Sequence, residues 1–368
     1  MNTEIDTARS PVTVDVVSPN SKTGIGFCPN EILCEIFELY QAEYLIDARD
    51  GVADAFGWWA ILHVCSGWRR VIIDNPAFWQ EIWATWSPKI VELYETRSRN
   101  QPLRILRFRK SKYRYDIEGD ITARLLATNI SRIHTAHIEW TTDDHTHYWE
   151  SLSQFMERAV GDALFPQLTQ LRLVSSPSHG SVVRLKRLNA PILKSLMLNR
   201  VILNPTVFPS LAHVTTLQSE ESELVAADVI DLLGACPRLE SCNIRFEHNE
   251  ELYDDLPVLR PDLDALSPGD LRPRVRVPLS AMQNLALDGL HWTCMAKVLN
   301  HFDIPRTSKI KLVPLFIIPD DKSWDALSAV VAPRISLYDS IKVSTPTRRV
   351  TLYNSSNSGS LSFESEYQ

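Results

Sequence analysis

The sequence predicts an α/β protein in two parts: a three-helix module near the N-terminus, then an irregular α/β solenoid. Three observations predict it. Six of the ten tryptophans fall between residues 28 and 86, among apolar residues at helical spacing. From about residue 100 onward, triplets of the form apolar-x-x-apolar-x-apolar recur, each ending in the alternation of a half-buried strand. Helical stripes separate several triplets, and helix-then-strand units of this kind bury their apolar faces only against their neighbours. The two parts are expected at residues 27–88 and 89–368. Residues 1–26 are rich in Ser, Thr, Asn and Pro without periodicity and are expected to form a disordered leader.

Within the module, Pro29 suits the first turn of a helix, because its ring pre-sets the backbone angle and its missing N–H would have no partner there. Ile32, Leu33, Ile36, Phe37 and Tyr40 then share one stripe, opposite Asn30, Glu31, Glu35 and Glu38. Asp54 suits the N-cap of a second helix bearing Trp58, Ile61, Leu62, Cys65 and Trp68. A third short segment, Arg69 to Ile73, ends at Asn75-Pro76, since proline pushes its predecessor out of the helical region. Phe78, Trp79, Ile82, Trp83 and Trp86 follow. Their helical spacing marks the tryptophans as core or partner-facing rather than as a ligand-stacking box. About sixty residues cannot bury this much aromatic surface, so part of it is expected to face a partner.

Pro29-x-Glu31-Ile32-Leu33-x-x-Ile36-Phe37, Val64-Cys65-x-x-Trp68-Arg69 and Pro76-x-Phe78-Trp79 resemble the F-box-like motif, by which substrate receptors dock on the Skp-type adaptor of a cullin–RING ubiquitin ligase. Cys28 stands where the motif usually carries leucine, and the stretch from Gln41 to Gly57 is longer than its usual spacer. The resemblance implies an adaptor surface made by Pro29, Ile32, Leu33, Ile36, Leu62, Cys65 and Trp68, with Trp79 supporting it.

The strand triplets are Leu103/Leu106/Phe108, Ile133/Ala136/Ile138, Leu168/Leu171/Leu173, Leu193/Leu196/Leu198, Leu239/Cys242/Ile244, Met282/Leu285/Leu287 and Thr307/Ile310/Leu312. Leu211/Val214/Thr216 and Ala332/Ile335/Leu337 are weaker copies. Steps of 25 residues separate Leu171 from Leu196, Leu285 from Ile310 and Ile310 from Ile335, within the period of leucine-rich repeats. Other steps are irregular. Leu152, Phe155, Met156, Ala159 and Val160 form one intervening helical stripe, and Val225, Val229, Leu232, Leu233 and Cys236 another. The run Leu232-Leu233-x-x-Cys236-Pro237-x-Leu239-Glu240 is similar to the repeats of leucine-rich-repeat F-box receptors. The acid- and proline-rich insert from about 247 to 276 is expected to be a surface loop, and Val350/Leu352 and Leu361/Phe363 a terminal hairpin or the start of a further module. The residues between buried strand positions would line an open substrate-binding face: Gln170, Arg172, Ser195, Met197, Asn199, Ser241, Asn243, Arg245, Asn284, Ala286 and Asp288.

Composition narrows the function. A net charge of −7 and a pI near 5.8 give no reason to expect nucleic acid or an anionic membrane as partner. No apolar run approaches the roughly 18 residues of a membrane span, and the first residues lack a secretory core, so a cytoplasmic or nuclear protein with six reduced cysteines is expected. No phosphate-binding, dinucleotide-binding or nucleophile-elbow motif occurs. His134, His137, Asp143, Asp144, His145 and His147 form the best metal-like group, but their setting is that of a polar loop after a strand. The basic run Arg104, Arg107, Arg109, Lys110, Lys112 and Arg114, interleaved with Phe108, Tyr113 and Tyr115, fits a solvated strand edge better than a phosphate site. With neither catalytic residues nor cofactor expected, the sequence points to a substrate receptor of an SCF-type ligase with an unidentified target protein, or alternatively to an interaction scaffold of the same fold outside any ligase.

Overall fold

The computed structural model describes residues 28–49, 56–106, 115–142, 151–177, 183–220, 226–245, 276–290, 292–314, 340–344, 349–353 and 360–363. The expected leader, the insert, the weak repeat at Ala332/Ile335/Leu337, most of the basic run, and Asp54, Phe108 and Val225 lie outside these residues. The protein is α/β and divides into two compact units, one ending at Phe78 and the other beginning at Trp79, earlier than the expected division at 88. The short strand after Trp79 pairs with the sheet of the second unit, which moves the division forward in the chain.

In the first unit, helix α1 (Asn30–Arg49) begins as expected at proline, with the Leu33 amide donating to the Pro29 carbonyl at 3.0 Å. Its buried stripe is Leu33, Phe37, Gln41 and Leu45, at a strict spacing of four. Phe37 lies 4.9 Å from the Trp68 ring and 6.4 Å from Phe78, while Gln41 Nε2 donates to the Phe78 carbonyl at 2.9 Å, so the buried amide has a partner. Ile32 and Ile36, expected on the same stripe, face outward. The single second helix expected from Asp54 to Trp68 is two elements: a 3-10 helix Gly57–His63 and α2 (Ser66–Asp74). Cys65 breaks them apart. Its backbone is extended, and its thiol accepts the Trp68 amide at 3.4 Å as the N-cap of α2. The third segment, Arg69 to Ile73, is the body of α2, which stops at extended Asn75 before Pro76. A Cβ at Gly57 would collide with the Tyr44 ring, so any larger residue there would displace that ring from its place on α1.

The second unit is built on a mostly parallel twelve-stranded sheet. In chain order its elements are β1 (Glu81–Trp83), α3 (Pro88–Arg97), β2 (Leu103–Leu106), α4 (Tyr115–Asn129), β3 (Ile133–Thr142), α5 (Leu152–Ala159), β4 (Gln170–Pro177), β5 (Val183–Leu185), β6 (Ser195–Asn199), β7 (Val201–Leu203), β8 (Thr216–Glu220), α6 (Ala226–Gly234), β9 (Ser241–Arg245), β10 (Val277–Pro278), β11 (Asn284–Leu290), α7 (Trp292–His301), β12 (Phe302–Asp303), β13 (Lys309–Pro314), β14 (Ser340–Ser344), β15 (Arg349–Tyr353) and β16 (Ser360–Phe363). The sheet order is β1-β2-β3-β4-β6-β8-β9-β11-β13-β16-β15-β14, and β5–β7 and β10–β12 form two small parallel pairs beside it.

One buried row crosses ten strands in continuous register: Ile82, Ile105, Ala136, Leu171, Leu196, Leu217, Cys242, Leu285, Ile310 and Leu361. Each is at most 4% exposed. Before the strands a one-turn hairpin recurs, in which the amide of residue i+3 donates to the carbonyl of residue i: Ala190–Leu193, Leu211–Val214, Cys236–Leu239, Leu279–Met282 and Pro305–Ser308, at 3.0 to 3.1 Å. The turn closes on the residue that opens the following triplet, Leu193, Val214, Leu239 and Met282, and on Ser308 before β13.

Three triplets shift register against expectation. In β2 Leu103 and Ile105 are buried, and it is Ile105 rather than Leu106 that stands opposite Ala136. In β8 the triplet is Val214/Leu217/Ser219 rather than Leu211/Val214/Thr216, because Leu211 opens the preceding turn and Thr216 faces solvent. Before β13, Thr307 is exposed and Ser308 takes the buried place, its hydroxyl donating to the Met282 carbonyl at 2.6 Å. The strands at Val350/Leu352 and Leu361/Phe363 are the antiparallel pair β15–β16, the hairpin alternative. The residues after Trp79 are a strand and not a helical continuation, with Trp83 and Trp86 stacked 5.9 Å apart.

Helices cover the buried face. The α5 stripe is Leu152, Phe155, Met156 and Ala159 as expected, under a Ser151–Gln154 capping box, and Phe155 stacks on Trp140 of β3 at 4.5 Å. Cys236 and Cys242 are buried free thiols. Burial pushes Cys236 up to about 12; burial and then the neighbouring Cys236 raise Cys242 also, so both are unreactive core groups. Between α3 and α4 lies a polar clamp. Arg132 donates to Ser98 Oγ at 3.0 Å, Asn129 Oδ1 at 2.7 Å and the Arg99 carbonyl, where the backbone turns left-handed at φ 52°, so its guanidinium closes the C-terminal end of α3. Glu95 accepts from Asn129 Nδ2 at 2.7 Å and Arg124 Nη1 at 2.8 Å.

This packing can be checked at two residues. Trp79 is fully buried, edge-on to Tyr94 at 4.9 Å with the Arg97 guanidinium 4.4 Å over its ring. Trp79→Ala is expected to cost about 3–5 kcal/mol in chemical denaturation; a loss near zero would contradict enclosure. For Glu95, burial pushes the carboxyl up, but the hydrogen bonds from Asn129, Arg124 and Thr128 and the Arg124 charge outweigh it and hold it below its ordinary value. A depressed carboxyl stabilises the fold above its unfolded pKa of about 4.3 and loses that contribution as pH falls towards the folded value. The melting advantage of the native chain over Glu95→Gln is therefore expected to be full at neutral pH and to shrink below about pH 4. A pH-independent difference would refute it.

Candidate functional site

Two surfaces, one on each unit, present groups that the folds themselves do not use. On the first unit, the outward stripe of α1 carries Ile32 (43% exposed), Ile36 (42%) and Leu39 (74%) at spacings of four and three, following exposed Pro29. At 1.5 Å per residue this apolar ridge is about 10 Å long. Glu31, Glu35 and Glu38 are exposed on the same helix. Beyond α1, Val64 is 60% exposed and Cys65 is exposed, while Leu62 and Trp68 are half-buried, Trp68 having one face against Phe37.

Of the residues expected to meet an adaptor, Pro29, Ile32, Ile36 and Cys65 are therefore exposed, and Leu62 and Trp68 are partly so. Leu33 is buried in its own unit's core, and Trp79 is sealed in the second unit. Leu39 and Val64 escape the sequence reading. Leu39 falls off the stripe chosen from the sequence, because that stripe mixes the inner and outer edges of one helix. Covering each half-exposed aliphatic of the ridge would contribute on the order of 1 kcal/mol to docking.

On the second unit, the face of the sheet opposite the buried row carries the outward strand positions, and register arranges its residues in rows. One row is Thr135, Gln170, Ser195, Thr216, Ser241, Asn284, Lys309 and Ser360; the next is His137, Arg172, Met197, Gln218, Asn243, Ala286, Lys311 and Ser362. A third runs Glu139, Val174, Asn199, Glu220, Arg245, Asp288 and Val313, in which Val174 and Val313 are buried. All the residues expected to line this face do so: Gln170, Arg172, Asn243, Arg245 and Asn284 are exposed, and Ser195, Met197, Asn199, Ser241, Ala286 and Asp288 are half-buried. Thr216, Gln218 and Glu220 escape the sequence reading through the register error in β8; centring its triplet on Leu217 finds them. In the third row charges alternate and answer one another. Arg245 Nε lies 3.8 Å from Asp288 Oδ2, and Gln218 donates to Glu220. The exposed Arg245–Asp288 pair contributes little, about 0–1 kcal/mol.

No family model, curated protein or solved structure matches the chain.

Among the described residues no group of three or more His, Cys, Asp or Glu is placed to hold a metal ion, and no helix is long and apolar enough to cross a membrane. His134 Nε2 lies 3.0 Å from Thr169 Oγ1, while Asp143, Asp144, His145 and His147 lie outside the described residues. An open cavity of about 580 Å³ is lined by Asp162, Lys186, Arg187 and Ser210 among others. Its polar groups serve the fold: Ser210 Oγ donates to the Leu188 carbonyl at 2.7 Å and accepts the Ala190 amide at 3.2 Å, and Arg187 pairs with Asp162 at 2.7 Å.

The division of α1 into an inner and an outer stripe is testable by stability alone. Leu33→Ala is expected to cost about 2–5 kcal/mol, and Ile36→Ser no more than about 0.5 kcal/mol. Equal losses in urea denaturation would show that the two residues share one environment.

Proposed function

We propose that the chain is a substrate-recruiting subunit of an SCF-type cullin–RING ubiquitin ligase, with an F-box-like first unit gripping a Skp-type adaptor and a second unit of degenerate leucine-rich repeats holding a target protein. The observation that carries the reading is the aliphatic ridge Ile32, Ile36 and Leu39, left in water on a helix whose other stripe builds a complete core. Contiguous exposed aliphatics of this kind mark protein contact surfaces. Ile32 and Ile36 of the ridge belong to the F-box resemblance, and the outward rows of the second unit offer a broad face for a target.

In this role the chain performs no bond chemistry. It raises the effective concentration of the target beside the ubiquitin-transfer machinery, and a step that would need a chance encounter becomes effectively intramolecular. Nothing in the mechanism asks for a nucleophile, a base or a cofactor on this polypeptide.

Co-expression with a Skp-type adaptor tests it. The native chain is expected to co-purify, and Ile32→Asp with Ile36→Asp, both on the exposed stripe and so tolerated by the fold, to reduce recovery at least tenfold. Absence of the native complex, or undiminished recovery of the folded double variant, would sink the reading; capture of a target by the second unit without any cullin component would favour the scaffold instead.

A further inference from the structure

Each aliphatic of the α1 ridge is preceded in the chain by a glutamate: Glu31 before Ile32, Glu35 before Ile36 and Glu38 before Leu39. At about 100° of turn per residue, the three carboxylates form a second line parallel to the ridge, about a quarter-turn round the helix. The opposite flank is aromatic. Tyr40, half-buried, stands one turn beyond Ile36, with its ring 4.9 Å from that of Tyr44. All three glutamates are exposed, and among the described residues none of them is in an ion pair. The helix offers them no cation nearby, since its one basic residue, Arg49, is its last.

The fold gives no reason for this line. Glu31 gains from the helix dipole, but that effect fades beyond the first turn and does not reach Glu35 or Glu38. Glu31 and Glu35 are four residues apart and Glu35 and Glu38 three, spacings at which like charges oppose helix formation. The general acidity of the chain does not account for it either, because beside the other apolar spot, Val64, the exposed charged neighbours are the basic residues His63, Arg69 and Arg70. We propose that the adaptor surface covering the ridge is edged on one side by lysine or arginine side chains that meet Glu31, Glu35 and Glu38, while its other side, over Tyr40, is apolar. The inference rests on the ligase reading and adds to it the charge and the orientation of the partner. Turned end for end on the ridge, the same partner would set its cations over Tyr40 and cover the carboxylates without a counter-charge. Charges placed in this way across an interface act chiefly on the rate of encounter and on which partner is accepted.

Binding of the full chain to a purified Skp-type adaptor, followed by surface plasmon resonance at low and high salt, tests it. The association rate is expected to fall several-fold as salt rises. Glu35→Gln with Glu38→Gln is expected to slow association about threefold and Glu35→Lys with Glu38→Lys at least tenfold, with smaller changes in dissociation. Glu35→Lys alone is expected to slow it about fivefold. Glu92→Lys, the same change of net charge at an exposed position of α3 in the second unit, is expected to leave the rate unchanged. The Gln pair relieves like-charge repulsion along α1, so its melting temperature is expected to be no lower than that of the native chain, which separates charge from fold. A native complex whose rate ignores salt or the glutamate reversals, or that forms faster in the reversed variants, would overturn the inference and leave the ligase reading standing. Failure of the native chain to bind the adaptor at all would overturn both.

Discussion

The second unit depends on a single line of side chains, one from each of ten strands, that runs unbroken from Ile82 to Leu361 beneath the sheet. Because side chains alternate with a period of two, a slip of one residue in any strand would drop a polar group into the core and lift an apolar one into water. The ladder reinforces this at the start of each strand, where the carbonyls of Thr169, Lys194, Thr215 and Glu240 each accept from two consecutive amides of the next strand. Connections can therefore vary freely while the line cannot. Leu171 and Leu196 are 25 residues apart, Leu196 and Leu217 only 21, and Cys242 and Leu285 43, yet all meet in register. The steps from Leu171 to Leu196 and from Leu196 to Leu217 carry the pair β5–β7 and a 3-10 helix at Pro205–Leu211 where other steps carry an α-helix.

The first unit obeys the corresponding rule for a helix. A stripe repeating at four residues is narrow, and Leu33, Phe37, Gln41 and Leu45 fill it. A glutamine holds one of the four places because the Phe78 carbonyl accepts its amide, so the interior does not demand a hydrocarbon there. Once that stripe is satisfied, Ile32, Ile36 and Leu39 have no place inside, and the helix is apolar on more of its circumference than its own core can cover.

These rules explain why some of the molecule is legible in its amino-acid order and some is not. Two-residue alternation survives insertions, so most strands and their outward residues, from Gln170 through Asp288, follow from the order of apolar and polar residues alone. What fails is local. Leu211 is buried where it opens a turn, and counting it as the first member of a strand triplet displaces β8 by three residues. Ile32 and Leu33 are adjacent and equally apolar, and only the packing of Phe37 against Trp68 and Phe78 decides which turns inward. Cys65 reads as one more apolar position on a helix, but its thiol accepts the Trp68 amide and splits that helix in two. Trp83 and Trp86 continue a helical spacing in sequence, while pairing of Glu81–Trp83 with β2 makes a strand.

The parity that seals the buried line also frees the opposite face. Folding requires only that open-face positions be polar enough for water, and Ser, Asn, Lys or Glu meet that requirement equally well. The order of charges along the sheet is therefore not set by stability, as the weak Arg245–Asp288 pair illustrates. A scatter of signs would be the neutral outcome, and the mixed charges from β3 to β11 approach it.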